Sequence, residues 1–258
     1  MKIKIGRGIR SNEPNLIKEA NELFETGVLD FAEIFFISGS SIAPFSSLKM
    51  PLTMHAPHFG YGVNLADKTK KEFNLKSIKE CIDASDKIKA EYVTFHPGEA
   101  LAGGHYDDAV ERSISILSYF KKSKTRICFE NVPLKSDYKG TVCIGYKPED
   151  IKKMVTSGFG FCFDLNHACK AAVSLKAPPE EFIKKFIKFN PDYFHISDGR
   201  LSSDVDEHLF LGEGGYNIEF MKSLIKGSKS KMVVIETHRK SKISLEENKK
   251  DIKFLRNI

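Results

Sequence analysis

Eight short apolar runs, separated mostly by longer stretches with helical spacing, constrain this chain more than any other feature of it. The runs cover 2–6, 31–37, 52–56, 90–98, 125–131, 159–167, 192–199 and 231–238. Between them, apolar residues recur three and four apart, as in the lysine-rich segment 67–89, which is the period of a helix with one buried face. Strand–helix alternation over 258 residues predicts a parallel sheet, and eight repeats predict one that closes: a single (β/α)8 TIM barrel over 1–258. Residues 31–66 fit least well, because SGSSIAPFSSLKMP joins two strands by a loop. The rival fold is a doubly wound open sheet. No G-x-G-x-x-G follows the first strand, so its dinucleotide-binding form is disfavoured.

The ends of the runs carry the chemistry. Six of the eight finish in a histidine or a carboxylate: His55, His96, Glu130, Asp164, His195 and Glu236, with His167 three residues beyond Asp164. In a βα barrel all C-terminal strand ends meet on one face, so these residues would share one polar cup. Singly, each has an ordinary explanation as a hydrogen-bonded rim residue or a surface ion-pair partner. Together, that many groups directly after apolar residues must be paired or must hold cations, since unpaired buried charge is prohibitively costly. Imidazole with carboxylate and no thiolate suits Zn2+, Mn2+ or Fe2+.

The stretch DVDEHLFLGEGG, 204–215, follows the strand ending at His195. On that face Asp206 and His208 can join His167, while Gly212 and Gly214 are expected to keep the rim low for a substrate. A solvated loop is the ordinary alternative for a stretch this polar.

Bulk properties exclude little. Forty basic against thirty-four acidic residues give +6, compatible with a polyanion, but the lysines are scattered. Five cysteines without a C-x-x-C (Cys81, Cys128, Cys143, Cys162, Cys169) argue against a secreted disulfide framework. No run reaches membrane-spanning length. A cytoplasmic protein is the expectation, with a monomer favoured.

The segments FHPGE, FEN, FDLNHA, FHISD, DEHLFLGEGG and IET resemble the signature segments of the endonuclease IV group (AP endonuclease family 2), whose barrel is shared with xylose-isomerase-like isomerases and epimerases. The resemblance spans about residues 52–238, in the family's order. Carried over residue by residue, it implies nine ligands for up to three zinc ions. Glu130 would bridge two ions, one also taking His55 and His96, the other Asp164, His195 and Glu236. His167, Asp206 and His208 would hold the third. Glu130 and Glu236 are then the candidate catalytic carboxylates. The implied reaction is hydrolysis of DNA on the 5′ side of an abasic site by water that the cations activate. Single-metal isomerases of the superfamily need only the Glu130, Asp164, His195 and Glu236 positions, so a sugar or sugar-phosphate isomerase or epimerase is the alternative.

The chain departs from the family where the family reads DNA. His58 replaces a tyrosine wedge and is the candidate substrate contact at that place. ENVPLKSDY replaces a glutamine-bearing loop, and Glu207 replaces a basic residue. His105 and His238 are expected at the surface or rim.

Overall fold

The computed structural model describes residues 2–101, 105–136 and 140–257. Its strands are β1 (Lys4–Arg10), β2 (Phe31–Phe35), β3 (Leu52–His55), β4 (Tyr92–Phe95), β5 (Glu99–Leu101), β6 (Arg126–Glu130), β7 (Thr141–Cys143), β8 (Gly160–Asp164), β9 (Tyr193–Ile196) and β10 (Met232–Ile235). All but β5 and β7 form a closed barrel in the order β1-β10-β9-β8-β6-β4-β3-β2, and every barrel pairing is parallel. The predicted (β/α)8 barrel is the fold found, with each of the eight runs supplying one strand.

The helices are α1 (Ile17–Glu25), α2 (Lys71–Lys87), α3 (Tyr106–Ser118), α4 (Pro148–Thr156), α5 (Leu165–Ser174), α6 (Pro179–Ile187), α7 (Ile218–Gly227) and α8 (Lys249–Asn257). Between β2 and β3 the chain makes only a 3-10 turn over Ala43–Ser47, with Phe45 fully buried. With Phe36, Ile42 and Met50, also buried, that ring covers the barrel where a helix is missing.

The run 159–167 does not stay extended to its end. Asp164 ends β8 and caps α5, its carboxylate accepting the His167 amide at 2.7 Å. An aspartate can satisfy a free N–H of the first helical turn, and here that capping outweighs extension. The short antiparallel pair β5–β7 was not legible either. Three residues a side are too few to show a period.

Side chains alternate across a strand, and this alternation builds the site. Phe31, Cys128, Cys162, Tyr193 and Val234 form a separate buried cluster inside the barrel. Outward-facing Phe163 stacks on Phe186 of α6 at 5.4 Å. Two residues beyond Cys128, Cys162, Tyr193 and Val234, on the same inward face, come Glu130, Asp164, His195 and Glu236. Gly6 leaves room at the floor, since a Cβ there would lie 2.5 Å from the Phe31 ring. Among the described residues, no helix is long and apolar enough to cross a membrane.

Candidate metal centre

Glu130 sits at the middle of the cup, without exposure. Its Oε2 faces His55 Nε2 at 3.0 Å and His96 Nε2 at 3.3 Å, and its Oε1 faces Nδ1 of His167 and of His195 at 3.3 and 3.2 Å. Burial raises a carboxyl pKa, but the surrounding histidines, His195 first, outweigh it and hold Glu130 well below the usual range. Glu236, just past β10, places Oε1 3.2 Å from His195 Nδ1. His195 likewise outweighs burial there and brings Glu236 down to about 2.

Potential ligand atoms gather in three sets, each within 4.8 Å: His55, His96 and Glu130; Glu130, Asp164, His195 and Glu236; and His167, Asp206 and His208. The structure thus brings all nine candidate ligands together. Cys162 also approaches Glu130 and His195, but burial raises its thiol pKa, and a thiol that keeps its proton is a poor ligand.

Backbone carbonyls orient three of the rings. Ala56 O lies 2.7 Å from His55 Nδ1, Asn131 O 2.9 Å from His167 Nδ1, and Glu236 O 2.7 Å from His208 Nδ1. A carbonyl can only accept, so each Nδ1 carries a hydrogen, and in the neutral ring it is Nε2 that has the lone pair for the cup. This is the arrangement by which outer partners prepare metal-binding histidines.

Asp164 provides the test of fit. Its Oδ2 is buried without a hydrogen-bond partner, and burial lifts its pKa to about 7. An unmet carboxylate oxygen beside three other ligand groups is what a cation would satisfy. In the outer set, burial pulls His208 down, but the Asp206 carboxylate prevails and lifts it to about 9. His167 is raised well above its ordinary value against the same pull of burial, through Asp164 and Asp206. The carboxylates that favour a proton on these rings would equally favour a cation shared with them. The residues fit a metal centre of oxygen and nitrogen donors.

Several supporting residues escaped the sequence reading. Glu33, at the centre of β2, is buried; it accepts from Thr53 Oγ1 at 3.0 Å and Tyr193 OH at 2.9 Å, and its Oε1 lies 3.1 Å from His195 Nε2. That last approach is close without the alignment of a hydrogen bond, since Nε2 lacks a hydrogen-bond partner. Asn131 exchanges two 2.8 Å bonds with the Asp164 backbone, and Asn166 donates to Asp206 at 2.5 Å. For Asn131 and Asn166 the only sequence signal was adjacency to the ligands in FEN and FDLNHA, and Glu33 in FAEIFFI carried none.

The glycines lie elsewhere than expected. The amides of Gly212 and Gly214 donate to Asp198 Oδ2 at 2.9 and 3.0 Å, and those of Gly199 and Tyr216 to Oδ1 at 2.8 and 3.2 Å. A Cβ on Gly214 would lie 2.2 Å from Asp198 Oδ1. Gly212 and Gly214 thus wrap a buried carboxylate, and neither lines the clefts at the cup. The close approach of their backbone serves the protein itself.

Two clefts meet over the cup, one of about 180 Å³ towards Lys135 and one of about 360 Å³ towards Arg10, Arg239 and Lys242. His58 lines both, with its ring stacked on His96 at 5.0 Å and edge-on to Phe35 at 5.6 Å. Burial first, then His96 and His55, bring its pKa down to about 3. His58 is therefore a neutral ring at neutral pH. His238 adjoins the cup rim, with its ring 5.6 Å from that of His208.

Residues 45–258 match the model of a family described as a xylose isomerase-like TIM barrel. A probable endonuclease 4 of Thermoplasma volcanium is 28% identical over 183 residues, which is 67% of this chain and 62% of that protein. The chain spans about three fifths of the length of the first curated relatives it matches. Among solved structures, a D-tagatose 3-epimerase-like protein aligns with TM-score 0.72 at 22% identity, over 99% of this chain and 98% of that one. Endonuclease IV of Thermus thermophilus aligns with TM-score 0.71 at 20% identity, over 98% and 97%. Likeness at these identities establishes the fold.

Proposed function

The chain belongs to the xylose isomerase-like TIM barrel family, and from that premise we propose that it is a zinc-dependent phosphodiesterase of endonuclease IV type, cutting DNA 5′ to abasic sites in base-excision repair. The observation that carries this reading is the outer set His167, Asp206 and His208, a further cation position for which a one-metal isomerase has no use. The name carried by the Thermoplasma relative, probable endonuclease 4, supports the same class.

Cations, if held by the nine candidate ligands, would supply Lewis acidity, lowering the pKa of bound water towards ~7 and offsetting charge on phosphate oxygens. The protein's own groups do the rest. Glu236 is ionised at neutral pH, with a side chain about one fifth exposed at the cleft, so it can take the proton that attacking water releases. His167, with Nδ1 tied to Asn131 O, presents Nε2 towards Asp206. Arg10 and Lys242 along the larger cleft are placed for phosphates of the substrate strand, Arg239 there being paired with Glu13, and His58 bounds both clefts as an uncharged surface for the nucleotide.

One pair of contacts favours a second reading. Glu130 and Glu236 both approach His195 Nδ1 at 3.2 Å, and two such carboxylates suit proton transfer beside the carbonyl of a sugar or sugar phosphate. The deciding experiment incubates zinc-loaded protein with a duplex carrying one abasic site and, separately, with ketoses. The nuclease reading expects incision 5′ to the lesion and binding that falls steeply with salt, as phosphate contacts require. An uncut duplex together with proton exchange next to a sugar carbonyl would replace it with the isomerase reading.

A further inference from the structure

Glu207 stands between two candidate ligands, yet it lines neither cleft and turns instead to a lysine without exposure. Lys170, on α5 one turn after His167, donates from Nζ to the carbonyls of Arg200 at 3.1 Å and Ser203 at 3.0 Å, and to Glu207 Oε2 at 2.8 Å. All three ammonium hydrogens are thereby engaged. Glu207 in turn accepts from the Arg200 amide at 2.8 Å and from its Nη1 at 2.6 Å. The loop so gripped has exposed apolar side chains, Leu201 and Val205 at 47% and 49%, and is also held by the Lys135–Asp204 ion pair at 2.8 Å and by the paired backbones of Asp198 and Leu209.

We propose that Lys170 and Glu207 are a positioning pair for the outer cation. They tie α5, which carries His167, to the loop that carries Asp206 and His208. The inference rests on the three-cation reading above. Its physical basis is that three ligands from two separate elements keep their spacing only if the elements are fixed to each other. Lys170 lies three residues from one ligand, and Glu207 is adjacent to the other two. Asn166, on the same helix, adds its bond to Asp206. The position between Asp206 and His208, basic in the family this chain resembles, is here spent on holding the loop and offers no cation to a phosphate.

The test is a Zn2+ titration against a competing chelator for the wild type, His208→Ala, Lys170→Met and the double variant Lys170→Met/Glu207→Met, with urea denaturation alongside. His208→Ala identifies the outer cation. Both pair variants are expected to weaken that cation about 10–100-fold, the usual effect of losing an outer partner, and to leave the others unchanged. The double variant removes the carboxylate that Lys170→Met leaves beside an apolar side chain with only Arg200 as partner, and should recover part of the stability lost. Recovery of outer-cation affinity together with stability would overturn the inference by showing that the pair only supports the fold. Equal weakening of every cation would also overturn it. Should Lys170→Met fail to fold, the double variant carries the comparison. If His208→Ala releases no cation, the three-cation reading falls as well. If it releases one that the pair variants retain, the inference alone falls.

Discussion

Asp206→Asn removes the charge that holds a proton on His208, and its effect on the metal-free protein can be worked out from the site. His208 Nε2 lies 2.8 Å from Asp206 Oδ2, and the ring is lifted from 6.5 to about 9. A raised folded-state pKa stabilises fully below the unfolded value of about 6.5 and loses that contribution as pH climbs through about 9. Asp206 itself is held well below its ordinary 3.8, with His208 and His167 outweighing burial, so its contribution disappears as pH falls below the ordinary carboxylate range. The pair therefore stabilises the fold between about pH 4 and 9, by about 3 kcal/mol near pH 6 as an order of magnitude. Urea denaturation of chelator-treated wild type and Asp206→Asn from about pH 4 to 10 measures this directly. The difference should be largest near pH 6 and shrink as His208 loses its proton through about pH 9, any remainder belonging to His167. In the same window a cation entering the outer set must displace protons from His208 and His167, so its apparent affinity should climb with pH, up to about a hundredfold per pH unit if both leave. Equal stabilities at about pH 6, or a gap that persists unchanged past about pH 9, would refute the electrostatic account.

Other outcomes follow from single contacts. Asp198→Asn replaces one oxygen of a carboxylate that accepts four backbone amides with a donor, and should cost about 3 kcal/mol in urea denaturation. Gly6→Ala forces a methyl to 2.5 Å from the Phe31 ring and should cost about 1–3 kcal/mol; an unchanged midpoint would mean that the barrel floor can relax. Glu130→Gln touches two of the three ligand sets, so elemental analysis should show more than one cation lost, where His208→Ala loses one. Glu33→Leu removes the carboxylate beside His195 Nε2 and should weaken the set containing His195 about 10–100-fold, which zinc competition would register.

Much of the site was legible because a strand side chain can face only two ways. Eight apolar runs with helical stretches between them imply closure, and closure places His55, His96, Glu130, Asp164, His195 and Glu236 on one rim whatever the details of packing. The sequence by itself thus determined the barrel and which strand ends converge. It did not determine what those ends lean on. Glu33 in FAEIFFI reads as a polar interruption, because its neighbours Tyr193 and His195 lie across the barrel on a strand not adjacent in the sheet. Asp164 reads as a strand-end carboxylate within the run 159–167, and only the structure shows the His167 amide making it a helix cap. Gly212 and Gly214 read as a substrate rim and Glu207 as the replacement of a basic residue, and only the tertiary structure shows the glycines folded about Asp198 and Glu207 bound to Lys170. Periodicity reports which face a residue takes, an average over its own segment; a partner for a buried charge comes from a distant segment, and three-dimensional closure alone selects it.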